Sequence, residues 1–236
     1  MDTVGSIVNM SVGFWPTEVV LMAKPSVTLP PALARRANKV LRPRDAGEVY
    51  AHPRPELARL VEAGVMVRFA TGYFVLMPQE RLGDHDWRPE LEAAALGLAQ
   101  ADYEVDRVAL MGVSAARYHG AVPRAVGVAI VAVPKQRPRL ETRFGVVLFV
   151  KRDVARLDVE RVDTQVTSGW MTTVEQTLLD LAARPALGGL AEPDVAAAVR
   201  ALGARADWNL VRQLAKAQHK PTALAAAMRD AGVGDA

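Results

Sequence analysis

Four side chains that could carry out nucleophilic or acid–base chemistry lie close together near the middle of the chain. The segment LMGVSAARYHGAV, residues 110–122, contains Ser114, Arg117, Tyr118 and His119. A serine beside a histidine is the pair that many hydrolases use, because the histidine removes the proton of the hydroxyl nucleophile. Such a pair needs hydrogen-bond contact, an acid that orients the histidine, and commonly a Gly-x-Ser-x-Gly turn, which is missing here. The spacing raises a catalytic hypothesis that the neighbouring elements must test.

Those neighbouring elements favour a structural role for the serine and the histidine. Residues 107–111 suit a short strand, Gly112 suits a turn, and residues 113–119 suit two turns of helix before another glycine. Ser114 and His119 are five residues apart, so a regular helix points them in different directions. The helix C-terminus also favours a protonated His119, which is a poor general base. We therefore predict packing roles for both residues and no enzymatic activity.

The composition excludes several kinds of site. The chain has no cysteine, so disulfides, thiolate metal sites and cysteine nucleophiles are impossible. Asp84, His85 and Asp86 resemble a metal triplet, but adjacent loop residues seldom converge on one ion, so helix capping is favoured. Neither a phosphate-binding loop, nor a dinucleotide fingerprint, nor the paired aspartates of a nucleotidyltransferase is present. We expect neither a metal nor a cofactor.

The hydropathy pattern favours a cytoplasmic protein. No segment sustains an apolar run long enough for a signal peptide or a membrane span, so we expect no membrane partner. Residues 1–31 carry few charges and are predicted to be a poorly ordered leader.

Charge is strongly segregated along the chain. Residues 32–71 hold eight basic and four acidic side chains, residues 72–106 hold two and eight, and residues 107–156 hold ten and two. A polyanion-binding surface requires clustered cations, because each phosphate contact releases counterions. The pattern predicts two basic surfaces separated by an acidic connector.

The first basic block has the element order of a winged helix-turn-helix. Helical spacing predicts a helix over residues 32–41, a short helix over 46–50 and a third over 56–63, followed by a β-hairpin that ends before Pro78. In this fold the third helix enters the major groove and the wing contacts the backbone. A protein-docking role for the same fold is the alternative. The predicted DNA-binding residues are Arg35, Arg36, Arg42, Arg44, Arg54, Arg59 and Arg68.

The second basic block accompanies valine-rich strands. Residues 125–133 and 143–150 are predicted to be buried strands, and further helices are predicted over 193–202, 208–218 and 222–230. Thr172-x-x-Glu175 has the spacing of a capping box that begins another helix. Operator DNA, RNA and an acidic protein surface all remain open as partners of the second cationic patch, which consists of Lys135, Arg137, Arg139, Arg143, Lys151 and Arg152.

These elements predict an α+β protein. A winged helix-turn-helix over residues 32–78 is followed by an acidic connector over 79–106, which contains one helix near 89–101. A mixed α/β domain over 107–236 ends in a segment like a helical bundle. We expect that a chain beginning near Trp87 would keep an intact core.

Three segments together resemble a known family. GVSAARYHG (112–120), VGVAIVAVP (126–134) and GWMTTVEQTLLDLAARP (169–185) are similar to the AbiEi-like antitoxins of bacterial type IV toxin–antitoxin systems. The resemblance extends over residues 33–185. It departs at Ala121, where the family often has leucine, and at Gln176, where it often has a basic residue.

The resemblance implies a protein that represses its own operon and opposes a nucleotidyltransferase toxin encoded nearby. Its partners would be operator DNA and that toxin, and self-association on DNA is left open. Two alternatives remain. One is a winged-helix regulator whose C-terminal domain binds a ligand or protein without any toxin partner, and the other is a nuclease-related or protein-modifying enzyme.

Overall fold

The computed structural model describes residues 29–234, and it confirms the predicted α+β fold. Eight α-helices within that range pack with a three-stranded and a six-stranded sheet. Residues 1–28 of the predicted leader lie outside the described residues. No helix in the described range is both long and apolar enough to cross a membrane.

Residues 29–78 form the front unit, which has the architecture of a winged helix. The strand order β1-β3-β2 is antiparallel throughout, and α2 directly precedes the hairpin of β2 and β3. The elements are α1 (Pro31–Ala34), β1 (Val40–Leu41), the 3-10 helix η1 (Pro43–Ala46), α2 (Pro53–Glu62), β2 (Met66–Ala70) and β3 (Tyr73–Leu76).

The predicted first helix is wrong beyond Ala34. Val40 and Leu41 instead form a strand, paired with β3 and fully buried. The two apolar residues match helical spacing, but their backbone groups form hydrogen bonds with β3 in the sheet. Such tertiary pairing overrides a local pattern. The predicted second helix over 46–50 is also wrong, since η1 begins at Pro43 and ends at Ala46. The third predicted helix is confirmed, although it begins earlier, at Pro53.

Residues 79–234 form the rear unit, which is built on the six-stranded sheet. The strand order is β6-β7-β5-β4-β9-β8, with β5 parallel to β7 and β4 parallel to β9. Three predicted strands are confirmed as β4, β5 and β7, whereas β6, β8 and β9 were not predicted. The strands are β4 (Ala109–Leu110), β5 (Val128–Val133), β6 (Leu140–Glu141), β7 (Val146–Lys151), β8 (Val159–Asp163) and β9 (Ser168–Thr172).

Helices cover both faces of this sheet. Side chains of β5 alternate, so that Val131 packs in the cluster around α3 while Ile130 packs in the cluster around α4 to α8. The helices of the rear unit are α3 (Leu91–Asp102), α4 (Val113–Tyr118), α5 (Val174–Ala183), α6 (Glu192–Gly203), α7 (Trp208–Ala217) and α8 (Pro221–Ala231). Three short 3-10 turns complete it, namely η2 (Gln79–Arg81), η3 (Val105–Arg107) and η4 (Val154–Arg156).

The C-terminal helices confirm the predicted helical segment, but the predicted capping box is wrong. Thr173, not Thr172, caps α5 by accepting a hydrogen bond from the Gln176 backbone N–H at 3.3 Å. The Thr172 hydroxyl bonds the Thr177 hydroxyl at 2.7 Å, and Glu175 accepts from the Asp207 backbone N–H. Thr172 is the last residue of β9, so its backbone belongs to the sheet.

Helix α3 joins the two units through one shared core. Val40, Phe69 and Val75 of the front unit belong to the same buried cluster as the alanines of α3 and the inner residues of β5. At Gly97 a Cβ atom would lie 2.6 Å from Val40 Cγ2, so only glycine permits this approach of α3 to β1. The helix of the acidic connector is therefore a buried structural element, whereas residues 79–88 before it are mostly exposed. A chain beginning near Trp87 would lose four of the 21 buried residues of this cluster, namely Val40, Phe69, Ala70 and Val75, so the expected largely intact core is corrected to one that is open on the face where α3 meets the front unit.

Candidate nucleic-acid interface

Helix α2 presents a polar face to solvent. Leu57 and Leu60 are buried in the core of the front unit, whereas Arg54 and Arg59 are exposed on the opposite side. The helix has ten residues and is therefore about 15 Å long. The major groove of B-DNA is about 12 Å wide and admits an α-helix, so the free face of α2 has suitable dimensions.

A recess of about 960 Å³ lies beside α2, and we call it the α2 recess. Its walls come from η1, α2 and the hairpin of β2 and β3. Arg44, Arg54 and Arg68 each contribute from a different one of these elements. All three are exposed, and none forms an ion pair within residues 29–234. The fold thus gathers three unpaired guanidinium groups that the sequence spreads over 25 positions.

The wing is a tight hairpin. Ala70 pairs with Tyr73, so Thr71 and Gly72 alone form the turn, and Gly72 has a φ of +81° that favours glycine. Arg68 lies on β2 just before this turn, where the register shifts between Arg68 and Ala70. The predicted hairpin is confirmed, and it places the Arg68 backbone beside α2.

Arg42, by contrast, is held inside an ion-pair network. Its side chain is 14% exposed, with Nη1 donating to Asp102 Oδ1 at 2.8 Å and Nη2 donating to Asp45 Oδ1 at 2.9 Å. Tyr73 Oη donates to Asp102 Oδ2 at 2.6 Å, and Arg137 also pairs with Asp102. The guanidinium group of Arg42 is therefore already paired with Asp45 and Asp102 within the fold. Its prediction as a DNA-binding residue is therefore corrected to a structural role at the junction of the two units.

The network is reflected in the ionisation of Asp45. Burial alone would raise the pKa of Asp45, but the hydrogen bonds from the Arg42 side chain and backbone, together with the charge of Arg42, outweigh burial and lower the pKa. The carboxylate therefore stabilises the front unit while it is ionised.

The remaining predicted DNA-binding arginines differ in their surroundings. Arg35 is exposed at the end of α1, whereas Arg36 is half-buried and its Nε atom has no hydrogen-bond partner in the described residues. Arg59 Nη1 lies 2.9 Å from Glu56 Oε2, but the arginine side chain is 57% exposed. Exposed pairs of this kind contribute little free energy, so Arg59 can exchange Glu56 for another anion.

The predicted second cationic patch is not a single surface. Arg137 is paired with Asp102 and lies over the Phe149 ring at 4.2 Å, and Arg139 pairs with Glu141 at 3.1 Å. Arg143 precedes β7 and donates its backbone N–H to Phe69 O, and Lys135 is exposed after β5. Lys151 and Arg152 lie at the other end of β7, roughly 17 Å along the strand from Arg143, and Lys135 lies at that same end because Val133 of β5 pairs in parallel with Lys151. The length of β7 separates residues that the sequence places within one basic block.

Ser114 and His119 are bonded to two different strands. Ser114 Oγ is buried and accepts the Ile130 backbone N–H of β5 at 2.8 Å. His119 Nε2 donates to the Thr172 carbonyl of β9 at 2.8 Å, and its Nδ1 lies 3.8 Å from Glu160. Within the described residues no hydrogen bond joins Ser114 to His119. These contacts fasten α4 to the sheet.

The acidic triplet is engaged locally. Asp84 accepts the Asp86 backbone N–H at 3.1 Å and pairs with Arg81 at 3.3 Å. Across residues 29–234 no three histidine or carboxylate side chains are grouped in the way that a metal site requires.

Comparisons with known proteins find a similarity in fold. No protein-family model matches the chain, and no curated protein matches it by sequence. Among solved structures the chain is similar to the RV2827C protein from Mycobacterium tuberculosis, with a TM-score of 0.54 and 16% identity. That likeness covers 86% of this chain and 79% of the other. At this level of identity the similarity shows a shared fold and nothing more. It extends over both units.

Proposed function

We propose that this chain is a cytoplasmic DNA-binding repressor and the antitoxin of a toxin–antitoxin pair. In the bound state α2 lies in the major groove and the β2–β3 hairpin lies along the phosphate backbone. The observation that carries the DNA-binding part is the α2 recess, where Arg44, Arg54 and Arg68 meet beside the free face of α2. Unpaired guanidinium groups suit phosphates and guanine edges, both of which accept bidentate hydrogen bonds.

The antitoxin part is supported by the resemblance to AbiEi-like proteins. Its two main motifs lie in α4 and in β9 with α5, which pack against each other and are joined by the bond from His119 to Thr172. Most of the motif residues in these helices are buried, including Ser114, Ala115 and Leu178. The resemblance therefore lies mainly in buried residues that pack the domain. The toxin would contact the exposed residues around them.

The DNA-binding part is tested by gel shift with the duplex upstream of the chain's own reading frame. Arg54→Ala should weaken binding by about 1–3 kcal/mol if it contacts a base edge. Arg200→Ala is a matched control, because Arg200 is also exposed but lies on α6 of the rear unit. Equal affinities for the wild type and for Arg54→Ala combined with Arg68→Ala would exclude the α2 recess as the interface.

The antitoxin part is tested by co-expression with a nucleotidyltransferase encoded next to this reading frame. The full chain should restore growth, and a variant with Arg44, Arg54 and Arg68 all changed to alanine should restore it as well while losing repression. The full chain is required, because the front unit completes the core of the rear unit. Absence of rescue by soluble protein would favour the alternative of a winged-helix regulator without a toxin partner.

A further inference from the structure

A second recess lies at the end of the parallel strands β5 and β7. Its volume is about 920 Å³, and we call it the strand-end recess. The strands end at Val133 and Lys151, and the recess is closed by η3, η4 and the C-terminal part of α7. In open sheets with parallel strands, ligands bind beyond the carboxyl ends of those strands.

The lining of the strand-end recess is strongly basic. Arg107, Lys151, Arg152 and Arg156 have no ion-pair partner within residues 29–234. The two acidic residues of the lining have structural partners, since Asp106 accepts from Trp170 Nε1 at 2.8 Å and Asp153 from the Ala155 N–H at 3.2 Å. The lining therefore holds five cations against two carboxylates, which leaves it with a net charge of +3.

A buried polar cluster lies behind these cations. Lys220 Nζ, which also lines the recess, donates to Asp180 Oδ1 at 3.0 Å, and Gln176 Nε2 donates to the same oxygen at 3.2 Å. The Asp180 side chain is 1% exposed, and its Oδ2 atom has no hydrogen-bond partner within the described residues. Burial raises the pKa of Asp180, and the charges of Lys220 and Arg152 counteract that rise.

Arg152 is the residue of this recess that most clearly lacks a partner. It is half-buried, and its Nε atom is shielded from solvent without any hydrogen-bond acceptor in the part of the chain described. A buried guanidinium N–H without an acceptor is costly, so native structures rarely leave one unless a ligand or water completes it. The positive charge of Arg152 acts on the buried Asp180 carboxylate without an ion pair between them, and the same side chain lines the recess.

We propose that the strand-end recess binds a small phosphate-chain anion, such as a nucleoside triphosphate or inorganic tripolyphosphate. The four cations without an ion-pair partner in residues 29–234 outnumber the two carboxylates of the lining and match the several charges of a phosphate chain, and guanidinium groups bind phosphate oxygens bidentately. The volume is within the range of small-molecule sites. A duplex needs an extended surface, which this recess does not offer. The site lies in the rear unit and is independent of the proposed DNA interface.

The proposal is tested by titrating the full chain, without DNA, with inorganic tripolyphosphate and separately with ATP at near-physiological salt. Lys151→Ala combined with Arg156→Ala removes two exposed cations that have no protein partner, so the fold should persist. The dissociation constant should rise at least about tenfold for each cation removed, as expected for hydrogen bonds to charged groups. Tighter binding of ATP than of tripolyphosphate would show that the nucleoside is also held, and equal binding would assign the site to the phosphate chain.

The matched control is Arg184→Ala combined with Arg200→Ala, which changes the net charge equally at exposed positions outside the recess. The control should bind both probes as the wild type does. The proposal is overturned if neither probe binds, or if the control loses as much affinity as the recess variant. It is also overturned if the recess variant loses affinity for duplex DNA alone.

Discussion

Phe69→Ala tests whether the front and rear units form one cooperative structure. Phe69 is completely buried, lies on β2 of the front unit, and stacks on Phe144 of the rear unit with ring centroids 5.9 Å apart. Removing a buried phenylalanine side chain costs about 3–5 kcal/mol, because apolar burial is lost and a cavity remains. That is a large part of the roughly 5–15 kcal/mol by which a native domain is stable.

The measurement is urea denaturation followed by tryptophan emission in a Trp15→Phe background. The three remaining tryptophans, Trp87, Trp170 and Trp208, all belong to the rear unit. If the units unfold together, Phe69→Ala should lower the midpoint of their emission transition by about 1–2 M, given an m-value of about 3 kcal/mol/M. Leu82→Ala, at a half-exposed position, should leave the midpoint nearly unchanged. An emission midpoint that does not move in Phe69→Ala would refute the shared core.

Two further predictions concern hydrogen bonds that the fold depends on. The lowered pKa of Asp45 means that its stabilising effect exists above the ordinary carboxyl pKa and is lost as pH falls through the lowered value. The difference in unfolding free energy between wild type and Asp45→Asn should therefore be largest at neutral pH and vanish in acid, and a constant difference across that range would contradict the ion pair. Ser114→Ala should destabilise the protein by about 1–3 kcal/mol in urea, because it leaves the Ile130 N–H buried and unpaired, whereas an unchanged midpoint would mean that water replaces the hydroxyl.

Some of the fold could be predicted from the sequence because its signals are local. The valine-rich runs of β5 and β7 are buried on both faces, so their apolar character is continuous. Helix α7 has an aspartate cap at Asp207, which accepts from the backbone of Asn209 and Leu210 as local spacing predicts. By contrast, β8 has three exposed or charged residues among five and lies at a sheet edge, so it lacks a strand signal of that kind.

The errors at the candidate site come from contacts between distant residues. Arg42 meets Asp102 across 60 positions and Arg137 meets it across 35, so no local pattern distinguishes these arginines from free ones. Val40 and Leu41 match a helix or a strand equally well, and their burial against β3 and α3 decides between them. Likewise Arg107 and Lys220 border one recess although 113 positions separate them.

The central claim, that the α2 recess contacts DNA phosphates, is tested most directly by the salt dependence of binding to the upstream duplex. Each phosphate contact contributes about 0.9 to the slope of log K against log salt, so changing Arg44, Arg54 and Arg68 together to alanine should reduce the slope by about 2.7 when all three contact phosphates and by about 1.8 when Arg54 contacts a base edge. The matched control changes Arg184, Arg200 and Lys216 of the rear unit and should keep the wild-type slope. A slope that is the same for the wild type and the Arg44, Arg54 and Arg68 variant would contradict the proposed interface.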